Sequence, residues 1–299
     1  MICTKCGCAG FESLRKVGGI MAGQQRKQLV KNGLVLAYTV AGRPEAPALL
    51  LLHAIRNTSR LFDHILPELA KRCRVIAVDL RGHGESVKEG PYTFEQLAED
   101  IRTLLDTEEV EQAAIVAASF SAVPAQMFAA AFPERVTHLI LLDGGFYSLR
   151  EMPGFDRAST VDRLAETRFP SIAAARESYI ARYGKGGIPS SLPESELEQK
   201  EDGAYGYRLP REAFDGYFRA YAAFDKEALF ASLKCPVLLL LADEMTLSDG
   251  EQQRFFQRAA AEYRQKVPRA VCEKIPHAQH LLMLTHPRET VERIISFVH

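Results

Sequence analysis

This chain of 299 residues has few cysteines, no surplus of either charge and no long apolar run, and each shortage removes a class of protein. Its 37 Lys and Arg against 38 Asp and Glu leave a formal net charge of -1. No basic stripe is present that could neutralise phosphates, so nucleic acid is not an expected partner. Apolar runs such as residues 48–52 and 237–242 fall far short of the roughly 20 residues a membrane helix needs, so no membrane partner is expected either. The opening MICTKCGCAG holds no apolar core of signal-peptide length, which reads as a cytoplasmic, reducing setting. Six cysteines are low for this length. Cys73, Cys235 and Cys272 stand singly at the edges of apolar segments and read as buried thiols. Cys3, Cys6 and Cys8 cluster, but tetrahedral zinc usually needs a fourth ligand and none lies nearby. Neither metal nor cofactor is expected. Residues 1–25 read as a loosely packed tail, with Met21 as an alternative start.

What is present is ordinary for a globular protein: 47% hydrophobic and 25% charged residues. Residues 28–31 and 34–40 are β-prone and joined by Asn32-Gly33, which tolerates the positive φ of a tight hairpin. Unbroken apolar runs at 48–52, 75–78, 113–118, 139–142 and 237–241 suit strands buried on both faces, as in a parallel sheet. Helical stretches separate them at 61–72, at 94–105 behind a Thr93/Gln96 capping pair, and at 121–132 before Pro133. Strand–helix alternation implies an α/β architecture with a mostly parallel, doubly wound sheet. The alternation lapses over residues 147–233, which read as a mostly helical cap inserted between two core segments, 26–146 and 234–299. In the cap, the acidic stretch 194–202 reads as a solvated face. Phe214, Tyr217, Phe218 and Tyr221 recur at helical spacing, to line a pocket or to pack the insertion onto the sheet.

One junction carries chemistry. The strand 113–118 runs straight into Ser119, and a helix follows at once. That is the context of a nucleophile elbow, in which the serine's neighbours at two residues before and after must be small. Here they are Ala117 and Ser121. The plainer alternative is a serine capping a helix.

Four segments together resemble the α/β-hydrolase superfamily over residues 28–299: Leu50-Leu-Leu-His-Ala54, the Asp79-Leu-Arg-Gly-His-Gly-Glu-Ser86 turn, the Ala117–Ala122 junction, and Ile275-Pro-His-Ala-Gln-His280. The resemblance implies an α/β-hydrolase fold with a cap, and a serine hydrolase in which Ser119 attacks and His280 serves as base. A serine hydroxyl needs such a base, and the base an acid to hold its tautomer. The acid is expected at Glu244, after the strand at 237–241. Asp143, which ends the preceding strand, is the fallback, and Asp243 is expected to point elsewhere. The backbone N–H groups of Ile55 and Phe120 are the implied oxyanion donors. Ala54 stands where the family usually has glycine, as do Ala117, Ser121 and Gln279. Phe146, Tyr217 and Tyr221 are expected against the substrate. Pro276 argues against His277 and His280 as a helical metal pair, and Asp79, Arg81, His83 and Ser86 read as a structural turn. The implied activity is cleavage of a small, hydrophobic ester, lactone or related carbonyl compound through an acyl-enzyme. A C–C bond hydrolase, or a small-molecule-binding signalling protein with vestigial hydrolysis, is the alternative. Oligomeric state leaves no trace in the sequence.

Overall fold

Apolar strands without polar alternation can be buried only between two layers, and the chain supplies both. A computed structural model describes residues 15–17, 23–184 and 186–299, the first three in backbone alone. The Cys3, Cys6 and Cys8 cluster and Met21 lie outside these residues. In chain order the first part comprises β1 (Arg15–Val17), β2 (Gln24–Lys31), β3 (Leu34–Ala41), β4 (Ala48–Leu52), α1 (Leu66–Leu69), β5 (Arg74–Val78), α2 (Phe94–Thr107), β6 (Ala113–Ala118), α3 (Ala122–Ala131) and β7 (Val136–Leu142). The middle holds α4 (Arg157–Ala165), α5 (Ile172–Tyr183), α6 (Ser191–Glu196), β8 (Leu197–Gln199), β9 (Tyr205–Tyr207), α7 (Arg211–Ala223) and α8 (Lys226–Ser232). The chain closes with β10 (Val237–Leu241), α9 (Gly250–Lys266), β11 (Ala270–Lys274), α10 (Leu282–Thr285) and α11 (Pro287–Val298).

Among the described residues, nine strands form one sheet in the order β1-β2-β3-β5-β4-β6-β7-β10-β11. The strands from β5 to β11 in that order run parallel, and β1, β2 and β3 add antiparallel ribbons at one edge. Asn32 and Gly33 take φ of 49° and 82°, the left-handed pair a two-residue hairpin needs. Alternate strand residues face opposite layers. Leu50, Ile76, Ile115 and Leu139 pack with Leu97, Ile101 and Phe128 of α2 and α3. Leu49, Val75, Val116 and Ile140 pack with Phe62, Leu66 and Ile294.

The winding reverses at β4. The chain steps from β4 outward to β5, then crosses back to β6 on the other side of β4. Reversal of strand order opens a crevice at the carboxyl ends of the two strands involved. Leu52 pairs with Ala117 there, so the segments after β4 and β6 emerge side by side.

Several expectations are revised. The stretch 61–72 is broken into a 3-10 turn, Ser59–Phe62, and the four-residue α1. β2 begins at Gln24, inside the segment read as tail. The region 147–233 contains the β8–β9 hairpin as well as helices, and α8 packs against the core helices α3 and α9. Its acidic stretch is not wholly solvated, because Glu196 is 1% exposed. Cys73 is buried, but Cys235 and Cys272 are only half-buried.

One buried side chain ties α3 to α9 and to the turn after β7. Gln126 on α3 accepts the Tyr263 hydroxyl hydrogen at 2.8 Å and donates to Gly145 O at 2.9 Å. Gln126→Leu strands both partners in the core, so unfolding free energy should fall by about 1–3 kcal/mol. An unmoved denaturation midpoint at constant slope would show that this network adds no net stability.

Candidate active site

The junction after β6 has the backbone strain an elbow requires. Ser119 sits at φ 57°, a conformation that costs a non-glycine residue energy and must be held by its surroundings. Those surroundings are close. A Cβ on Gly144 would fall 2.1 Å from Ser119 O, so only glycine lets the turn after β7 approach this serine. Ala117 and Ser121 are fully buried on either side. The Ser121 hydroxyl lies 3.0 Å from both Leu52 O and Ala118 O and shares its one proton between them. Serine in place of the usual glycine therefore binds the elbow to the end of β4.

Ser119 Oγ is 2.8 Å from His280 Nε2, and His280 Nδ1 is 2.6 Å from Asp143 Oδ2. A carboxylate accepts only, so Nδ1 carries the ring proton and donates it to Asp143, leaving Nε2 to accept from the Ser119 hydroxyl. Asp143 lies just beyond β7 at φ 50°. It is aimed by its own N–H, which donates to Leu240 O at 2.9 Å, and by the Ala242 N–H, which donates to Oδ1 at 2.9 Å. The following peptide is pinned as well: Gly145 N–H donates to Tyr221 Oη at 3.0 Å.

Glu244 does not reach His280. Its carboxylate takes hydrogen bonds from Lys274 Nζ at 2.5 Å and Gln257 Nε2 at 3.0 Å. Burial would push that carboxyl up, but these two bonds outweigh it and hold it below its ordinary range. Asp243 accepts from the backbone N–H of His277 and Met245, which braces the loop that carries His280. The acid partner of His280 is thus the fallback residue, Asp143. The reason is local: a short 3-10 turn, Glu244–Thr246, directs Glu244 toward β11 and α9 rather than across the sheet end.

Tyr217 and Tyr221 are also elsewhere than expected. Both are buried, and the Tyr217 hydroxyl donates to Arg81 O at 2.8 Å. Their helix face packs the insertion onto the core through Phe94 and Phe120. Phe146 does line a cavity of about 610 Å³ that also exposes Asp143 and His280, with Met152, Leu241 and Phe256 as further apolar wall.

The segment after β4 carries Ile55, and Phe120 follows Ser119 directly. His53 is fully buried and accepts the Leu80 N–H on Nε2 at 2.9 Å, so its Nδ1–H donates to Ala54 O at 2.8 Å. Burial holds this ring neutral, its pKa lowered to about 4. Past Ile55, three consecutive residues are tied to the insertion. Arg56, at φ 64°, lies between the rings of Tyr179 and Tyr207, 5.6 and 5.2 Å from their centroids. Asn57 donates to Glu196, which also accepts from the Tyr179 hydroxyl at 2.6 Å. Thr58 Oγ1 is 2.6 Å from Ser195 Oγ. No periodicity or motif flags Glu196, because only the folded insertion brings it under Asn57. The Asp143-Gly-Gly145 run, by contrast, carried a legible sign of a tight turn at a strand end. Asp79 and Arg81 are held in buried ion pairs with Arg26 and Asp100. Among the described residues, no three His, Cys, Asp or Glu side chains gather as a metal-binding group, and no helix is long and apolar enough to cross a membrane.

A family model for the alpha/beta hydrolase fold matches residues 47–287, and the chain belongs to that family. Several curated relatives are matched over only 33% to 41% of their own length; one, an uncharacterised hydrolase of Saccharomyces cerevisiae, is 32% identical over 40% of this chain and 41% of its own. The 3-oxoadipate enol-lactonase 2 of Acinetobacter baylyi is 25% identical over 75% of this chain and 82% of its own. The crystal structure of E-2-(acetamidomethylene)succinate hydrolase shares the fold, with a TM-score of 0.72 at 24% identity over 89% of this chain and 96% of that one.

Glu196 makes a pH prediction. Burial raises its carboxyl from 4.5 to about 7, only partly offset by Arg56 and the hydrogen bonds from Tyr179 and Asn57. Between those values the folded protein holds a proton that the unfolded chain has lost. Unfolding free energy should therefore fall as pH rises from about 4.5 to about 7. Glu196→Gln should remove that component of the slope, as read from urea denaturation across the interval. An identical slope in the variant would show that Glu196 titrates normally.

Proposed function

We propose that this protein is a serine hydrolase that cleaves a small ester, lactone or related carbonyl substrate through an acyl-enzyme. The observation that carries this reading is the hydrogen-bonded line Asp143–His280–Ser119, which ends on a serine in the left-handed region and exposes its Asp143 and His280 members to a cavity. Ser119 Oγ attacks the carbonyl carbon as His280 Nε2 takes its proton. Asp143 keeps Nδ1–H oriented and stabilises the imidazolium that forms. The backbone N–H groups of Ile55 and Phe120 meet the oxyanion, where fixed dipoles act without reorganising. Collapse expels the alcohol, which takes the proton back from His280. Water then attacks the acyl-serine by the same route, releasing the acid and restoring Ser119. The likeness to an enol-lactonase over most of both chains supports the lactone among these substrates. The apolar wall of Phe146, Met152 and Phe256 supports a hydrophobic portion.

A fluorophosphonate probe should modify Ser119 in the wild type and leave Ser119→Ala unmodified. Absence of an adduct on Ser119 overturns the reading. Asp143→Asn, which keeps the shape but offers His280 the wrong partner, should lower kcat on an aryl ester by roughly 10³–10⁴-fold. Glu244→Gln should lower it far less. The reverse order, in steady-state kinetics, would return the acid role to Glu244.

A further inference from the structure

We infer that the substrate carries a carboxylate, or an anion of like charge, and that Arg163 and Arg182 of the cap recognise it. This inference rests on the hydrolase reading above and names the substrate class of the same site. The cavity that exposes Asp143 and His280 is also lined by Arg163, Arg182, Arg264 and Lys274. Its carboxylates are three, Asp143, Asp243 and Glu244, and each already has partners. Asp143 holds His280 and the Ala242 N–H, Asp243 holds two backbone N–H groups, and Glu244 holds Lys274 and Gln257. Arg264 spends one nitrogen on Cys272 O. Arg163, in the last turn of α4, and Arg182, in the last turn of α5, form no ion pair among the described residues. The Arg182 guanidinium lies 5.3 Å from the Tyr183 ring centroid, a contact that leaves its donors open.

The cap side of the cavity wall therefore presents two arginines that form no ion pair among the described residues, and the four cations of the lining outnumber its three carboxylates. A guanidinium matches a carboxylate through paired N–H donors, and an excess of positive over negative side chains around a cavity favours entry of an anion. Phe146, Met152 and Phe256 meet the rest of the ligand. The fitting substrate is an amphipathic acyl compound with an apolar chain and an anionic end.

The test compares matched pairs with the full chain at low ionic strength. For an anion on the acyl half, the mono-4-nitrophenyl ester of adipic acid is set against 4-nitrophenyl hexanoate. For an anion on the leaving group, 4-acetoxybenzoate is set against phenyl acetate. The ratio of kcat/KM, anionic over neutral, should be about tenfold in at least one pair. Arg163 and Arg182 are solvent-exposed, so Arg163→Gln and Arg182→Gln should each lower that ratio by only about threefold, mainly through KM, as expected for exposed charge pairs. About 0.5 M salt should erode the ratio in the wild type. A ratio near one in both pairs, or a ratio that neither substitution moves, overturns the inference. It leaves the hydrolase reading standing if the neutral ester is cleaved in a Ser119-dependent way. No turnover of any of the four esters, with no adduct on Ser119, overturns both.

Discussion

The arrangement depends on one backbone conformation, the left-handed φ of Ser119 at the end of β6. A serine continuing the strand direction would bury its hydroxyl in the sheet. The sharp turn instead lifts Oγ to the carboxyl edge, where His280 can meet it. That conformation is unfavourable by itself, and it persists because β6 is buried on both faces and flanked by β4 and β7 in parallel register. The turn after β7 then packs against the elbow so closely that a side chain at Gly144 has no room. The same closeness brings Asp143 within reach of the imidazole. Strain at the serine and proximity of the carboxylate are thus two results of one packing arrangement.

The insertion belongs to this machinery rather than merely covering it. Arg56, Asn57 and Thr58, which follow Ile55, each contact the insertion through Tyr207, Glu196 and Ser195. Burying a guanidinium and a carboxyl group carries a large desolvation cost, so such a cluster is weak evidence for stability and better evidence for a defined geometry. Here the geometry concerns the loop that carries Ile55, the residue proposed above as an oxyanion donor. The aromatic face of α7 has a different task. Tyr217 and Tyr221 fasten the insertion to the core by stacking and by hydrogen bonds to backbone atoms, leaving the cavity to residues that include those of α4, α5, α9, the turn after β7 and the segment after β10.

The charges around that cavity follow the same division between core and cap. Carboxylates on the core side are consumed in bracing loops: Asp243 holds the segment leading to His280, and Glu244 binds β11 and α9. The cap contributes Arg163 and Arg182, which form no ion pair among the described residues. A site assembled this way separates reacting groups from recognition groups, since the first come from strand ends and the second from helices that cross above them. In folds of this kind specificity can change by replacing cap residues while the strand ends stay as they are.

Much of the core was legible in the residues. Unbroken apolar runs marked the parallel strands, Asn32-Gly33 marked the hairpin, and a strand running into a serine with small neighbours marked the elbow. These signals are local, because burial on two faces, positive φ and the tightness of a turn each leave a mark within a few residues. The acid was a different problem. Asp143 and Glu244 both follow apolar strands, and nothing nearby distinguishes a carboxylate aimed at His280 from one aimed at Lys274. The choice depends on how far β7 and β10 protrude and which way the short turn after β10 coils. The burial of Glu196 was equally hidden, since an acidic stretch looks solvated until the loop after β4 is folded beneath it. Local residue patterns were enough to place the sheet, the elbow and the kind of groups that could react. Which carboxylate completes the line, and which cap residues face the cavity, became fixed only on folding, because both depend on contacts between segments far apart in the chain, as with Asp143 and His280.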